Sequence, residues 1–507
     1  MATHSPPVDS LPYDLLLDIF EMNADMFSDP RALNTARFTS QVCRSWRNIM
    51  LATPSIWAKL IDIDCTSRVP HIVWKEARTR VPHNIWREEL IRRGGTSLLW
   101  IKADLFSYSF RHVVNFFFDL IREHWGRIQK LVAKVYCRDV DPTLYAPLLL
   151  PAPHLETFEF DYGTGIRPDV FMPPQESPYL TVFSGQAPML RRLDFERHRP
   201  DSSAPWLHQL HFINLTWGYT TLSVLSATHN LRELKIFWPE DEHMVLSLFP
   251  VALPNLKRLG IFGLELPEVT SILDHLKIPR GCSLDIYADS DMAEDYNFWP
   301  VVNTLSSVAQ RYFQSHPPNK LFFEYSEDKV ILKDSTRPGE FSLAICFFEP
   351  EPSPIPTRHF LAKLTLAEFS GVKELALYIE DVEPISFLSF TSCFPLVQTI
   401  HTSEQDLRYL TNIQGLDNPE SARGGCQNVF PHLTTVILVT AHRQKPWHRI
   451  GKVTTDFVLS RIEHGHPLSV LDLTQALCVE PTALDLLRDI AGLEILTKAD
   501  DVGLVSV

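Results

Sequence analysis

SLPYDLLLDIFEMNADMFSDPRALNTARFTSQVCRSWRNIMLATPSIWAKL (residues 10–60) decides how the rest of the chain is understood. Leu11-Pro12 opens a short helix, because proline at the first helical position loses no hydrogen bond and its fixed φ suits the turn. Leu15, Leu16, Ile19 and Phe20 then recur at the spacing of one helical face. Asp29-Pro30 repeats the device, with Asp29 as N-cap of a second helix carrying Leu33, Ala36, Cys43, Trp46 and Met50. Thr53-Pro54 starts a third, shorter helix with Ile56, Trp57 and Leu60. Three helices in about fifty residues make a core too small to stand alone, so the module needs a partner or a larger neighbour.

The order of these residues resembles the F-box: Leu11-Pro12, then Leu15-Leu16 and Ile19-Phe20, then Val42-Cys43-Arg44-x-Trp46-Arg47, then Pro54-x-x-Trp57-x-x-Leu60. Asp14 stands where the family more often has Glu, and the charge is kept. The resemblance covers roughly an eighth of the chain. It implies docking onto the Skp-family adaptor of a cullin–RING (SCF-type) ubiquitin ligase, with the remainder of the chain selecting the target. Carried over residue by residue, it implies adaptor contacts at Leu11, Pro12, Leu15, Leu16, Ile19, Phe20, Val42, Cys43, Trp46 and Trp57. Apolar stripes are also the usual material of cores, so some of these residues must serve the module itself.

A chain of 507 residues is long enough for more than one domain, and 45% hydrophobic residues make it globular. The net charge of −14 argues against general nucleic-acid binding, which needs clustered Lys and Arg. The opening MATHSPPVDSLP has neither the basic nor the apolar region of a secretory signal. No apolar run reaches the ~18 residues of a membrane span. A soluble, cytoplasmic or nuclear protein is expected. The eight cysteines lie at least 22 residues apart, which excludes a CxxC zinc site and a dense disulfide framework.

From Arg68 to Arg93, seven Lys or Arg stand against three Glu, interleaved with Trp74, Ile85, Trp86 and Leu90. A solvated face with tryptophans packed on a neighbour explains this joint better than a nucleic-acid contact. Beyond it a phrase recurs: PHLETFEF (153–160), PMLRRLDF (188–195), PWLHQLHF (205–212), HNLRELKI (229–236) and PNLKRLGI (254–261). SGVKELAL (370–377), PHLTTVIL (431–438) and HPLSVLDL (466–473) are weaker copies. Leu207, Leu231 and Leu256 lie 24 and 25 residues apart, a leucine-rich-repeat period. Between the phrases, 267–276, 301–313, 454–465 and 481–492 show helical periodicity. Strand and helix in alternation bury a continuous core by stacking.

The expected fold is therefore α/β: a three-helix F-box (1–65), basic and aromatic linker helices (66–96), and an irregular leucine-rich-repeat-like solenoid (97–507) with parallel strands on its concave side. This resembles the leucine-rich-repeat F-box proteins of fungi, without most of their asparagine ladder. KLFFEYSEDKVILKDS (320–335) and EFSLAICFFE (340–349) alternate as antiparallel strands do, so the array is expected to be interrupted near 320–360. The Pro-rich 349–357 and the Gly-rich 415–428 are expected to be exposed loops.

No dinucleotide fingerprint, Walker A, GxSxG or HExxH motif occurs; Gly163-Thr-Gly165 lacks the third glycine. The pairs His464-x-His466 and His208-x-x-His211 lack the further ligands a metal needs, and Cys43 has no nearby base. No enzyme, cofactor or metal is expected. Residues alternating with the repeat leucines point out of the sheet. Among them Ile213, Phe237 and Phe262 would stack as an apolar strip, bordered by Arg192 and Arg258, suited to a target protein. An alternative end to each strand, one residue earlier, turns the three into loop core. The expected function is target recruitment for an SCF-type ligase, with adaptor and cullin as partners and neither nucleic acid nor membrane. A non-degradative scaffold, a repeat-based binder that never meets the adaptor, and an enzyme on the repeats remain open alternatives.

Overall fold

The computed structural model describes residues 11–64, 84–106, 109, 111–137, 140–162, 182–195, 200–218, 221–237, 249–290, 299–326, 329–347, 361–380, 384–414, 429–439, 451–476 and 481–498. The expected loops at 349–357 and 415–428, the first part of the basic joint and Gly163-Thr-Gly165 lie outside the described residues. The chain divides into two compact units, Met1–Asn255 and Leu256–Val507.

The first unit opens on helices α1 (Tyr13–Asn23), α2 (Ala32–Val42), α3 (Arg44–Ala52) and α4 (Pro54–Ala58). Four short helices thus stand where three were expected, because the chain turns extended at Cys43 (φ −151°, ψ 171°). The Cys43 thiol then accepts a bond from the Trp46 N–H at 3.4 Å as the cap of α3, which fixes the break. Asp29 does not cap α2 directly; its carboxylate accepts from the Arg31 N–H, the residue preceding the helix.

Strand β1 (Ile61–Asp64) carries the chain into a parallel sheet with β2 (Leu99–Leu105), β3 (Ile128–Val135), β4 (Thr157–Tyr162), β5 (Arg192–Asp194), β6 (Phe212–Thr216) and β7 (Glu233–Phe237), paired in chain order. The register places Ile61, Ile101, Leu131, Phe158, Leu193, Ile213 and Leu234 in one row across all seven strands. Every member is buried. At about 1.5–3 kcal/mol for each fully buried side chain of this size, that row is a main support of the unit. Helices α5 (Asn84–Gly94), α6 (Arg111–His124) and α7 (Thr221–Ser226) are the regular helices among the described residues of its crossovers, as parallel pairing requires.

In the second unit β9 (Arg258–Glu265) follows a two-residue strand β8 (Val251–Ala252) of the first. With β10 (Leu276–Lys277) aside, the sheet order is β9, β11 (Ser283–Ser290), β14 (Phe341–Phe347), β13 (Lys329–Asp334), β12 (Lys320–Ser326), β15 (Glu374–Ile379), β16 (Thr399–Thr402), β17 (Thr435–Leu438), β18 (Val470–Asp472) and β19 (Glu494–Leu496). Among the described strands β13 alone runs antiparallel to its neighbours, as the alternation in 320–335 and 340–349 leads one to expect. Its Leu332 still joins a buried row, Ile261–Ile286–Leu343–Leu332–Phe323–Leu377, so the core continues through the antiparallel strand. Helices α8 (Leu266–His275) and α9 (Trp299–Ser315) bury the expected Val269, Ile272, Leu273, Val302, Leu305, Ala309 and Tyr312.

One expected phrase is out of phase. Arg192 pairs with Phe212 and Phe212 with Glu233, so the residue equivalent to Leu190 and Leu231 is Leu210 and not Leu207. Pro205–Gln209 form a 3-10 turn that imitates the Pro-x-Leu opening of the other units.

Candidate functional site

The helical module divides its apolar residues between two duties. Leu16 (5% exposed) and Phe20 face inward along α1, where the Phe20 ring meets Trp46 edge-on at 5.1 Å. Trp57 is buried as well; its indole N–H donates to the Met50 carbonyl at 2.7 Å and the Arg93 guanidinium lies 4.7 Å over its ring. Glu21 pins this inner side to α4, accepting from Ser55 at 2.7 Å and pairing with Lys59 at 3.1 Å. The Ser55 hydrogen bond, with Lys59, holds its carboxyl below the ordinary value. Leu16, Phe20 and Trp57 are therefore corrected from adaptor contacts to core: their apolar surface is already covered by their own chain. Cys43 and Trp46 are half-buried, the first spent on capping α3.

The remaining residues stand open. Leu11, Pro12, Leu15 (50% exposed), Ile19 and Val42 (63%) are exposed. Met22 (69%), Tyr13 and Phe38 (68%) are exposed as well, and the sequence alone does not single these out. Leu15, Ile19 and Met22 repeat at four and three residues, so they form one stripe along α1, adjacent to the buried stripe of Leu16 and Phe20. Phe38 and Val42 are four apart on α2. The pairing of large apolar groups at helical spacing outside the core was a signal available in the sequence, but periodicity alone cannot say which of two adjacent stripes the chain itself covers. A cluster of large apolar side chains left in water marks an interaction surface.

Within the first unit, the expected target-binding residues Ile213 and Phe237 do not share a face of the sheet. Ile213 is fully buried and sits in the core row opposite Leu234, whereas Phe237 pairs with Thr216. The strip of Ile213, Phe237 and Phe262 is thus corrected: the phase error at 205–212 moved Ile213 to the wrong face. Phe262 belongs to the second unit, where its neighbour across the sheet is the exposed Tyr287. Arg258 is exposed at the start of β9. Arg192 is committed within the first unit: it pairs with Glu159, lies 4.0 Å from Glu233 and stacks 3.5 Å over the Phe212 ring. Beside it, burial pushes the Asp194 carboxyl up, and a 2.7 Å bond from the Asn214 amide opposes that shift.

Among the described residues no group of three or more His, Cys, Asp or Glu is placed to hold a metal ion, and no helix is long and apolar enough to cross a membrane. Residues 8–62 match the F-box-like family, and that match spans α1 to α4 and enters β1. No characterised protein matches the chain. An F-box-like domain is in general the element by which a chain engages the Skp-family adaptor of SCF-type complexes.

Proposed function

We propose that the chain is the target-recruiting subunit of an SCF-type ubiquitin ligase. The observation that carries this is the open apolar stripe of Leu15, Ile19 and Met22, with Phe38 and Val42, inside the segment that matches the F-box-like family. The adaptor covers that stripe and completes a core too small by itself. The cullin joins through the adaptor, in the cytoplasm or nucleus. The parallel strands and the equivalent leucines Leu190, Leu210, Leu231 and Leu256 support an irregular leucine-rich-repeat-like solenoid that carries the target. Its contribution is proximity: a target held beside the conjugating enzyme reacts at a raised effective concentration, and the transfer chemistry belongs to the partners. The chain itself is not an enzyme on this reading.

Co-purification of the full chain with a Skp-family adaptor tests it. The wild type is expected to bind, and Leu15→Glu/Ile19→Glu to lose binding with its thermal unfolding unchanged, because both side chains already face water. Failure of the wild type to bind, or equal binding by the variant, overturns the reading.

A further inference from the structure

Strand β11 carries Asp285, Tyr287 and Asp289 on one face, since side chains alternate along a strand. Tyr287 is 41% exposed although it lies within a sheet, with Phe262 on one side and Ala344 on the other. Ala344 and the neighbouring Ser342 are too small to cover its ring, and Asp285 has the side-chain-free Gly260 as its partner on β9. The hydroxyl interacts with the Cys346 thiol and the Asp289 carboxylate. Neither Asp285 nor Asp289 makes an ion pair among the described residues, and one carboxylate oxygen of Asp289 is buried without a hydrogen-bond partner. The directly paired neighbours of these two acids, Gly260, Glu265, Ser342 and Cys346, include no cation. Arg258 is the closest base by register, diagonal to Asp285 across the Ser283 pair.

We infer that this face of the second unit binds an extended peptide segment through a lysine or arginine side chain laid on the Tyr287 ring, with Asp285 and Asp289 on either side of it. An aromatic face attracts a cation, and two carboxylates without an ion pair among the described residues select one over a neutral or acidic side chain. The partner is chosen by charge complementarity: the surface offers one flat aromatic anchor and negative charge, the requirements of a single basic anchor and not of an apolar helix. The inference rests on the proposed function only in naming the segment as part of a target.

The test uses the full chain and two fluorescein-labelled decapeptides of alternating serine and leucine, one with a central arginine and one with glutamine in its place. Fluorescence polarisation is expected to show the arginine peptide binding at least about tenfold more tightly, weakening with salt as an ionic contact should. Tyr287→Ala and Asp285→Asn/Asp289→Asn are each expected to abolish that preference. Tyr287→Phe keeps the ring and is expected to retain most of it, which separates loss of the platform from loss of fold. Equal binding of the two peptides, no binding of either, or a preference that survives both variants overturns the inference. So does a concentration-dependent dimer that Tyr287→Ala dissolves, since the face then belongs to a second copy. Adaptor co-purification of Tyr287→Ala is expected to match the wild type, so failure here leaves the adaptor reading standing.

Discussion

Two buried charges in the second unit show how single residues set its stability. Asp406 lies at the third position of the helix Glu404–Gln414, accepting from the Ile379 N–H at 2.7 Å, the Ser403 N–H at 2.9 Å and the Ser403 hydroxyl at 2.5 Å. Burial pushes its carboxyl from 3.8 up to about 6, and these bonds oppose but do not cancel the shift. An acid with a raised folded pKa holds its proton more tightly when native, so stability falls as pH rises from about 4 through about 6. The change is on the order of 2–3 kcal/mol. Urea unfolding at pH 4.5 and 7.5 is expected to show that loss, and Asp406→Asn to remove the slope. The amide variant is also expected to be less stable overall, since its NH₂ must face either Ile379 or Ser403 donors. Arg461 is the opposite case, a buried guanidinium with no carboxylate partner among the described residues. It donates to the carbonyls of Val429, Phe430, Leu433 and His466, and burial lowers its pKa to about 10. Phe430 holds a left-handed φ of 54° inside this clamp. A lysine reaches only part of such a fan of acceptors, so Arg461→Lys is expected to cost about 3–5 kcal/mol in urea unfolding.

Elements were legible where periodicity and packing agree. The alternation in 320–349 gave the antiparallel strand pairing, and the stripes in 267–276 and 301–313 gave α8 and α9, because in each the apolar set has a single buried destination. Legibility failed where two structures share one local pattern. The 3-10 turn Pro205–Gln209 presents Pro-x-Leu as a strand opening does, and the resulting phase error placed Ile213 outside when it belongs to the core row. The helix break at Cys43 was hidden because a cysteine fits an apolar stripe and also accepts a capping bond. On α1 the sequence shows two adjacent stripes and cannot tell chain-covered from open; the fold assigns Leu16 and Phe20 to the first and Leu15 and Ile19 to the second. Packing between elements also fixes a test of the joint. A Cβ on Gly94, at the end of α5, meets the Cβ of Ala58 at 3.2 Å and its Cα at 3.3 Å. Because part of that contact is backbone, α4 cannot yield by a rotamer change. Gly94→Val is expected to cost about 1–3 kcal/mol, measured by thermal unfolding, whereas a valine at Gly126, with nothing near its Cβ, is expected to cost less.

At the scale of the molecule, the helical module is built into the first unit and is not a detachable cap. Its β1 pairs with β2 from Ile61 to Asp64, and Ile61 begins the buried row that ends at Leu234. The turn after α1 sets Phe27 6.0 Å from the Trp100 ring, with Lys130 3.6 Å and Lys59 5.2 Å from that same ring. Trp100 is fixed further through Gln129 Oε1, which accepts its indole N–H at 2.8 Å. An adaptor bound to α1 and α2 would accordingly be held in a set direction relative to strands β2 to β7, which a flexible tether cannot provide. A chain starting at residue 65 loses the cover of Ile101 and exposes the β2 edge, with the N–H and C=O groups that β1 had satisfied. Independent folding of such a fragment would require those losses to be small against a native stability of only about 5–15 kcal/mol. Deletion of residues 1–64 is therefore expected to leave the first unit unfolded or aggregated, seen as loss of its cooperative transition in circular dichroism. Leu15→Glu/Ile19→Glu is expected to keep that transition. A truncated chain that melts as the wild type does would show instead that the module is an appendage, and the fixed direction between adaptor and sheet would have no structural basis.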